Sequence, residues 1–153
     1  MYYQIAASTG NRPASAKSAR DVERQLIRKI GLDPARYKLA DGSGLSLYNY
    51  LSAELEVKLL RYAYRDENMY QQLKQSLPIA GVDGTLKKRM KTGYAHGNVK
   101  AKTGTLTGII SLAGYCKAAN GHELCFSIIN NGIMHGNNAR NFADKVCELL
   151  CKP

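Results

Sequence analysis

The chain has no tryptophan, only two phenylalanines and only four prolines in 153 residues. Its aromatic bulk rests on ten tyrosines. Tyr62 and Tyr70 fall at helical core spacing, so packing outweighs a stacking platform for bases. No apolar run approaches the ~20 residues that a membrane-spanning helix needs, which excludes a membrane span. Acidic residues are scarce: 12 Asp and Glu face 22 Lys and Arg, a formal net charge of +10. That surplus suits anionic partners (nucleic acid, anionic wall polymer or carboxylate substrates), and it serves solubility equally well. The basic residues are dispersed, as in Arg28-Lys29 and Lys87-Lys88-Arg89. They lack the interleaved aromatics or helix-borne stripe of a nucleic-acid reader, so nucleic acid is disfavoured.

Metal-ligand spacing is also missing. The four cysteines, at 116, 125, 147 and 151, contain no C-x-x-C pair, and His96, His122 and His135 share no ligand spacing. No metal and no cofactor is implied. The Asn120-Gly121 dipeptide predicts a two-residue hairpin turn, which would set Cys116 opposite Cys125 and allow a cross-strand bridge. Buried free thiols are the alternative, and the apolar character of cysteine favours them. The start, Met1-Tyr2-Tyr3-Gln4, lacks the basic and apolar regions of a secretory signal. The chain therefore reads either as cytoplasmic or as lacking its true beginning.

At this length one domain, 1–153, is expected, with a core that needs no disulfide or metal. Residues 1–7 read as the tail of a helix. From Ser18 to Ile30, Val22, Leu26, Ile27 and Ile30 recur at helical spacing, and Gly31 closes the run. Tyr37 to Ala40 is extended and leads into the glycine-rich loop Asp41-Gly42-Ser43-Gly44-Leu45-Ser46. A helix capped by Ser52 follows, with Leu55, Leu59, Tyr62 and Ala63 on one face, then another from Asp66 with Met69, Tyr70 and Leu73. Pro78 ends it, and Ile79 to Met90 reads as loop with one short helix after Asp83-Gly84. Strands are expected at Val99 to Lys102, Ile109 to Lys117 and His122 to Asn130. A closing helix spans Asn137 to Leu150, with Phe142, Val146, Leu149 and Leu150 at helical spacing. This order gives an α+β fold, an antiparallel sheet of about three strands with packed helices.

Lys-Thr-Gly occurs twice, at Lys91-Thr92-Gly93 and Lys102-Thr103-Gly104. The first copy has no strand pattern around it; the second ends a predicted strand and leads into a hairpin partner. On a strand edge, Lys102 supplies positive charge and a donor, and the Thr103 hydroxyl can bind a substrate carboxylate. Gly104 leaves room for substrate, and the Thr105 backbone N–H can hold a developing oxyanion. The tripeptide accompanies S-x-x-K and S-D-N in penicillin-binding proteins and class A β-lactamases.

Three separated blocks, Asp41-Gly-Ser-Gly-Leu-Ser46, Leu77-Pro-Ile-Ala-Gly-Val-Asp-Gly-Thr-Leu86 and Ala101-Lys-Thr-Gly-Thr-Leu106, together with Ile109-Ile-Ser-Leu-Ala-Gly-Tyr115, carry a resemblance. The chain resembles the D-alanyl-D-alanine carboxypeptidase/endopeptidase family, the class C low-molecular-mass penicillin-binding proteins, in its C-terminal portion. The resemblance implies a partial β-lactamase/DD-peptidase-like fold and a cell-envelope location. It also implies hydrolysis of peptidoglycan stem peptides through an acyl-serine that β-lactams also acylate. The family sheet has five strands, the first two from upstream, so three are expected here. That would leave an unpaired edge open to self-association.

No serine of this chain, at 8, 15, 18, 43, 46, 52, 76, 111 or 127, has Lys three residues later or Asn two residues later. The nucleophile motif is absent and no catalytic residue is assigned. An upstream polypeptide is expected to complete the site, and the chain alone is expected to be inactive. The substrate-binding candidates are Lys102, Thr103, Gly104 and Thr105, with Asp41 and Ser43 in a loop near the site. Ser43 does not stand in a G-x-S-x-G elbow, and Asp41 reads as the anchor of its loop. The alternative is a non-catalytic module binding peptidoglycan peptides or anionic polymer.

Overall fold

A computed structural model describes residues 2–10 and 13–153. Met1, the first residue of the helix expected over 1–7, lies outside the described residues, as do Asn11 and Arg12. The chain divides into two compact units, Met1–Leu55 and Glu56–Pro153.

In the first unit, helix α1 (Tyr2–Ser8) packs on α2 (Ala16–Lys29), where Ala6 and Ala19 are fully buried. The Ser15 hydroxyl accepts from the Ser18 N–H and starts α2. Gly31, at φ +79°, ends it in a Schellman turn: its N–H donates to the Arg28 carbonyl and the Leu32 N–H to the Ile27 carbonyl. Ile27 and Leu32 meet in the small core that accompanies this cap, together with Leu55. Asp33 caps a 3-10 turn at Pro34–Arg36, and a bridge between Lys38 and Tyr50 closes the loop beyond it.

Helix α3 (Ala53–Tyr64), along which the division falls, begins where the Ser52 hydroxyl accepts from the Leu55 N–H. The second unit continues with α4 (Glu67–Ser76), capped by Asp66, and a 3-10 turn at Gly84–Leu86. Strands β1 (Lys100–Leu106), β2 (Ile109–Lys117) and β3 (Glu123–Asn131) and helix α5 (Gly136–Cys151) complete it. The sheet is antiparallel in the order β1-β2-β3. Its middle strand is buried on both faces. On one face Leu112, Cys116 and Phe126 pack with Ala143, Cys147 and Cys151 of α5. On the other, Tyr115 packs with Leu60, Tyr70 and Leu77, and its hydroxyl donates to the Leu60 carbonyl at 2.7 Å.

Four sequence expectations are corrected. The Asn120-Gly121 hairpin has a three-residue loop, closed by the Ala118 N–H donating to the His122 carbonyl, with Gly121 at φ +85°. The additional residue shifts the register by one, pairing Cys116 with Leu124 and Cys125 with Tyr115. One residue of register sends a side chain to the opposite face, so Cys116 and Cys125 do not face each other. All four thiols are free, and burial pushes Cys147 up to about 12.

In α5 the buried residues are Ala139, Ala143, Cys147 and Cys151, while Phe142 is 54% and Leu149 68% exposed. Small side chains at every fourth position form the face that seats against β2, Leu150 packs at its margin, and Phe142 and Leu149 turn outward. In α3 Leu60 rather than Leu59 is buried, because it packs against Tyr70, Leu77 and Tyr115; Met69 of α4 is likewise exposed. Finally, β1 runs beyond Lys102 to Leu106, so the tripeptide sits inside the strand rather than at its end.

A Cβ at Gly114 would lie 2.1 Å from the Lys100 carbonyl oxygen and 2.6 Å from the Ala101 Cα. These are backbone atoms of the paired strand and cannot rotate away. Gly114→Ala is therefore expected to cost at least the ~3 kcal/mol upper range of ordinary overpacking, read as a lowered urea midpoint or loss of soluble protein.

Candidate functional site

Strand β1 holds Lys102, Thr103, Gly104 and Thr105 in one run, paired with Ala113, Leu112, Ser111 and Ile110 of β2. Alternation puts Lys102 and Gly104 on one face and Thr103 and Thr105 on the other. The Lys102 ammonium is exposed and donates to the Thr103 carbonyl at 2.8 Å. The Thr103 hydroxyl donates to the Thr85 hydroxyl at 3.0 Å. A Cβ at Gly104 would meet the Ser111 hydroxyl oxygen. A larger residue here would force the Ser111 hydroxyl to another rotamer.

The outer edge of β1 is supported at its start. The Ala80 N–H donates to the Val99 carbonyl and the Ala101 N–H to the Pro78 carbonyl, at 2.9 and 3.0 Å. The segment between Pro78 and Val99 is then tied to α5 by two carboxylates one helical turn apart. Asp144 accepts two guanidinium nitrogens of Arg89, at 2.6 and 3.0 Å. Glu148 accepts the backbone N–H groups of Tyr94 and Ala95, at 2.7 and 2.9 Å. These two donors hold the Glu148 carboxyl below its ordinary value. Asn98 completes the tie by accepting from the Lys117 N–H and donating to its carbonyl, both at 2.8 Å.

The two Lys-Thr-Gly copies therefore have different structures. The first lies in a loop, with Gly93 at φ +87° and Glu148 where a Cβ would stand. The second is strand. A hollow of about 530 Å³ in the same unit is lined by Arg61, Tyr64, Tyr115, Glu123 and Cys125 and does not include the tripeptide. Nearby, Lys74 donates to Glu123 and to the Tyr70 hydroxyl at 2.6 Å each, fastening α4 to the start of β3.

Asp41 and Ser43 belong to the first unit. One Asp41 carboxylate oxygen accepts the Ser43 hydroxyl at 2.9 Å, the Ser43 N–H at 3.1 Å and the Asn49 amide at 3.3 Å. The Ser43 side-chain and backbone donors lower the Asp41 pKa. Such a carboxylate holds a loop and is a poor base. Among the described residues, no group of three or more His, Cys, Asp or Glu is arranged to hold a metal ion. Thr85, Ser111, Asn98 and Glu148 were not singled out by sequence. Thr85 and Ser111 were visible only as members of the Leu77–Leu86 and Ile109–Tyr115 blocks, and Asn98 and Glu148 reach their partners across 19 and 54 positions.

A three-stranded antiparallel sheet with a helix against it and Lys-Thr-Gly on an outer strand defines the class that contains β-lactamases and DD-peptidases. An extended spectrum beta-lactamase, TLA-1, shares this fold at a TM-score of 0.57 over 88% of this chain and 51% of its own, with 17% identity. The chain matches the D-Ala-D-Ala carboxypeptidase 3 (S13) family over residues 1–152 and belongs to it.

Among its relatives is the D-alanyl-D-alanine carboxypeptidase of Actinomadura sp. (strain R39), 45% identical over 113 residues, which are 71% of this chain and 21% of that protein. The D-alanyl-D-alanine carboxypeptidase DacB of Haemophilus influenzae is 33% identical over 138 residues, 89% of this chain and 29% of that one. The crystal structure of penicillin binding protein 4 (dacB) from Haemophilus influenzae matches at a TM-score of 0.81 and 30% identity, over 95% of this chain and 35% of that one. The same protein has also been solved in complex with a β-lactam. The chain thus spans between a fifth and a third of these relatives' lengths. Among the described residues no helix is long and apolar enough to cross a membrane.

The carboxylate of Glu148 sets a pH dependence. Its folded value is depressed, so its contribution is complete above the ordinary value of 4.5 and is lost as pH falls through the lower folded value. Hydrogen exchange of the Tyr94 and Ala95 amides should accelerate relative to β2 as pH drops through that window. Glu148→Gln, which keeps only one acceptor oxygen, should accelerate exchange of these amides already at neutral pH, with no further acid step.

Proposed function

We propose that this chain is the C-terminal part of a serine-type DD-peptidase domain acting on peptidoglycan stem peptides, with 1–153 forming one piece of that domain. The observation that carries this reading is Lys102-Thr103-Gly104 inside an outer strand of the sheet, in a chain of the S13 family. In this role the Lys102 ammonium and Thr103 hydroxyl hold the carboxylate of a terminal D-Ala-D-Ala. The peptide lies along the outer edge of β1 past Gly104, and the Thr105 N–H faces the scissile carbonyl oxygen.

No serine of the chain stands in an S-x-x-K or S-x-N setting. Acyl transfer needs a nucleophile with a base within hydrogen-bond reach, so an upstream polypeptide supplies it and a β-lactam binds the completed site. The location is the cell envelope. Among the described residues nothing pairs with the outer edge of β3, which supports either addition of further strands there or self-association through that edge.

A second reading, a non-catalytic module for peptidoglycan peptides or anionic wall polymer, is favoured by one specific feature. Between Gly84 and His122 there are seven Lys or Arg and no Asp or Glu. Such a stretch attracts polyanions in a salt-dependent way.

Incubation with a fluorescent penicillin followed by denaturing electrophoresis should give no labelled band from the chain alone; a covalent band would overturn the assignment of the nucleophile to another polypeptide. Titration with a D-Ala-D-Ala peptide should shift the amide signals of Lys102 to Thr105, and Lys102→Ala should weaken that binding by about ten-fold, the loss of one charge-assisted hydrogen bond. Shifts confined to anionic polymer would favour the second reading.

A further inference from the structure

The Thr103 hydroxyl, a carboxylate ligand in the function proposed above, already has a partner. It donates its single proton to Thr85 at 3.0 Å. A carboxylate has only acceptors, so Thr103 can bind one only by redirecting that proton. The oxygen of Thr103 then needs a donor, and the Thr85 hydroxyl is the group in place to supply one.

The placement of Thr85 is built rather than incidental. It sits in the 3-10 turn Gly84–Leu86, whose Leu86 side chain is fully buried in the main core. Gly84 has φ +49°, and a Cβ there would be 3.0 Å from the Pro78 ring. The Asp83 carboxylate accepts the Ile79 N–H at 2.7 Å, and the Leu86 carbonyl accepts from Gly81 and Arg89, at 3.1 and 2.9 Å. Pro78 in turn hydrogen-bonds to Ala101 of β1, and Ala80 to Val99 just before it. The backbone that carries Thr85 is therefore fixed to the strand that carries Thr103, although both hydroxyls lie at the surface.

We propose that Thr85 is a positioning residue for carboxylate recognition: it fixes the Thr103 rotamer and reverses its hydrogen bond, from acceptor to donor, when Thr103 turns its proton to a peptide carboxylate. No covalent bond changes. In the free chain the order is Thr103 O–H to Thr85. In the complex it is Thr85 O–H to Thr103, and Thr103 O–H to the carboxylate. The number of hydrogen bonds rises by one and neither hydroxyl oxygen is left unpaired, whereas a site without Thr85 must order a freely turning Thr103 on binding.

This rests on the carboxylate-binding reading of Thr103, and the test separates the two. The full chain is compared with Thr85→Val, which keeps the shape without the hydroxyl, and Thr85→Ser, which keeps the hydroxyl. Thr103 side-chain scalar couplings report its rotamer in the free protein. NMR titration uses an N-acetyl-D-Ala-D-Ala peptide and its C-terminal amide.

The expected result is one Thr103 rotamer in the wild type and in Thr85→Ser, but averaged couplings in Thr85→Val. Acid binding should be weakened about five-fold in Thr85→Val only, the size of one net hydrogen bond, with amide binding unchanged. Identical couplings and acid affinity in all three proteins would overturn the proposal. If the wild type binds neither peptide, the carboxylate role of both threonines falls, and a coupling change in Thr85→Val then retains only the rotamer-fixing part. Weaker binding of acid and amide alike in Thr85→Val would assign Thr85 to general shape and reject the relay.

Discussion

Strand β2 can exist only in the middle of this sheet, and the rest of the second unit is arranged around that condition. It is covered on one face by α5 and on the other by Leu60, Tyr70 and Leu77. A strand buried on both faces must satisfy all of its backbone groups through its neighbours, because no water reaches them. Gly114 lets the backbone of β1 approach within 2.1 Å of where a Cβ would be, and that closeness fixes β1 laterally. The pairing of Lys102 with Ala113 and of Thr103 with Leu112 follows from the same register. The position of the tripeptide is thus set by a strand that carries none of the proposed recognition groups.

A second constraint acts on the outer side of β1. The segment from Pro78 to Val99 has little regular structure, yet it is held at its start by a backbone bond from Ala101 of β1 to Pro78, at its end by Asn98 on Lys117 and in its middle by Asp144 and Glu148. Asp144 works through a largely buried guanidinium partner, and Glu148 works through two N–H groups, so their sensitivities differ. Loss of the Arg89 interaction leaves a desolvated charge unpaired. Protonation of Glu148 merely weakens two hydrogen bonds. Both carboxylates sit on α5 four residues apart, on adjacent turns of one helix surface. The helix that covers the sheet therefore also braces the loop that supports Thr85.

How much of this was legible in the sequence depended on whether the signal was local. The span of β2 was readable because Ile109 to Cys116 is a nearly continuous apolar run, with most of its bulk buried. The helices were readable from spacing and from Ser52, Asp66 and Gly31 at their ends. The second half of β1 was not, because Lys-Thr-Gly-Thr has the composition of a loop and is drawn into the strand by Leu112 and Ile110 across from it. The hairpin register turned on whether the Asn120-Gly121 turn has two or three residues, a choice that the dipeptide does not make. The buried face of α5 was misread because Phe142 and Leu149 are the larger apolar residues, while Ala143 and Cys147 are what a close approach to β2 accepts. For the candidate site, the tripeptide and its strand context were legible. Its hydroxyl partner Thr85, the cross-strand Ser111 and the Glu148 clamp join residues from 7 to 54 positions apart and leave no local pattern.

Ser111 also settles what β1 and β2 can do between themselves. It is the serine directly across from Gly104, on the face that Lys102 shares. A nucleophile there would need free space for a carbonyl carbon and a base within reach of its proton. The space beside Gly104 is already filled by the Ser111 oxygen itself, within the distance at which a Cβ would collide. The Lys102 ammonium is turned to the Thr103 carbonyl. Donors for a carboxylate are present on this strand pair, whereas an exposed, activated oxygen is not. On the proposed reading the strand pair therefore offers recognition groups alone, and the nucleophile of that reading is a group beyond it.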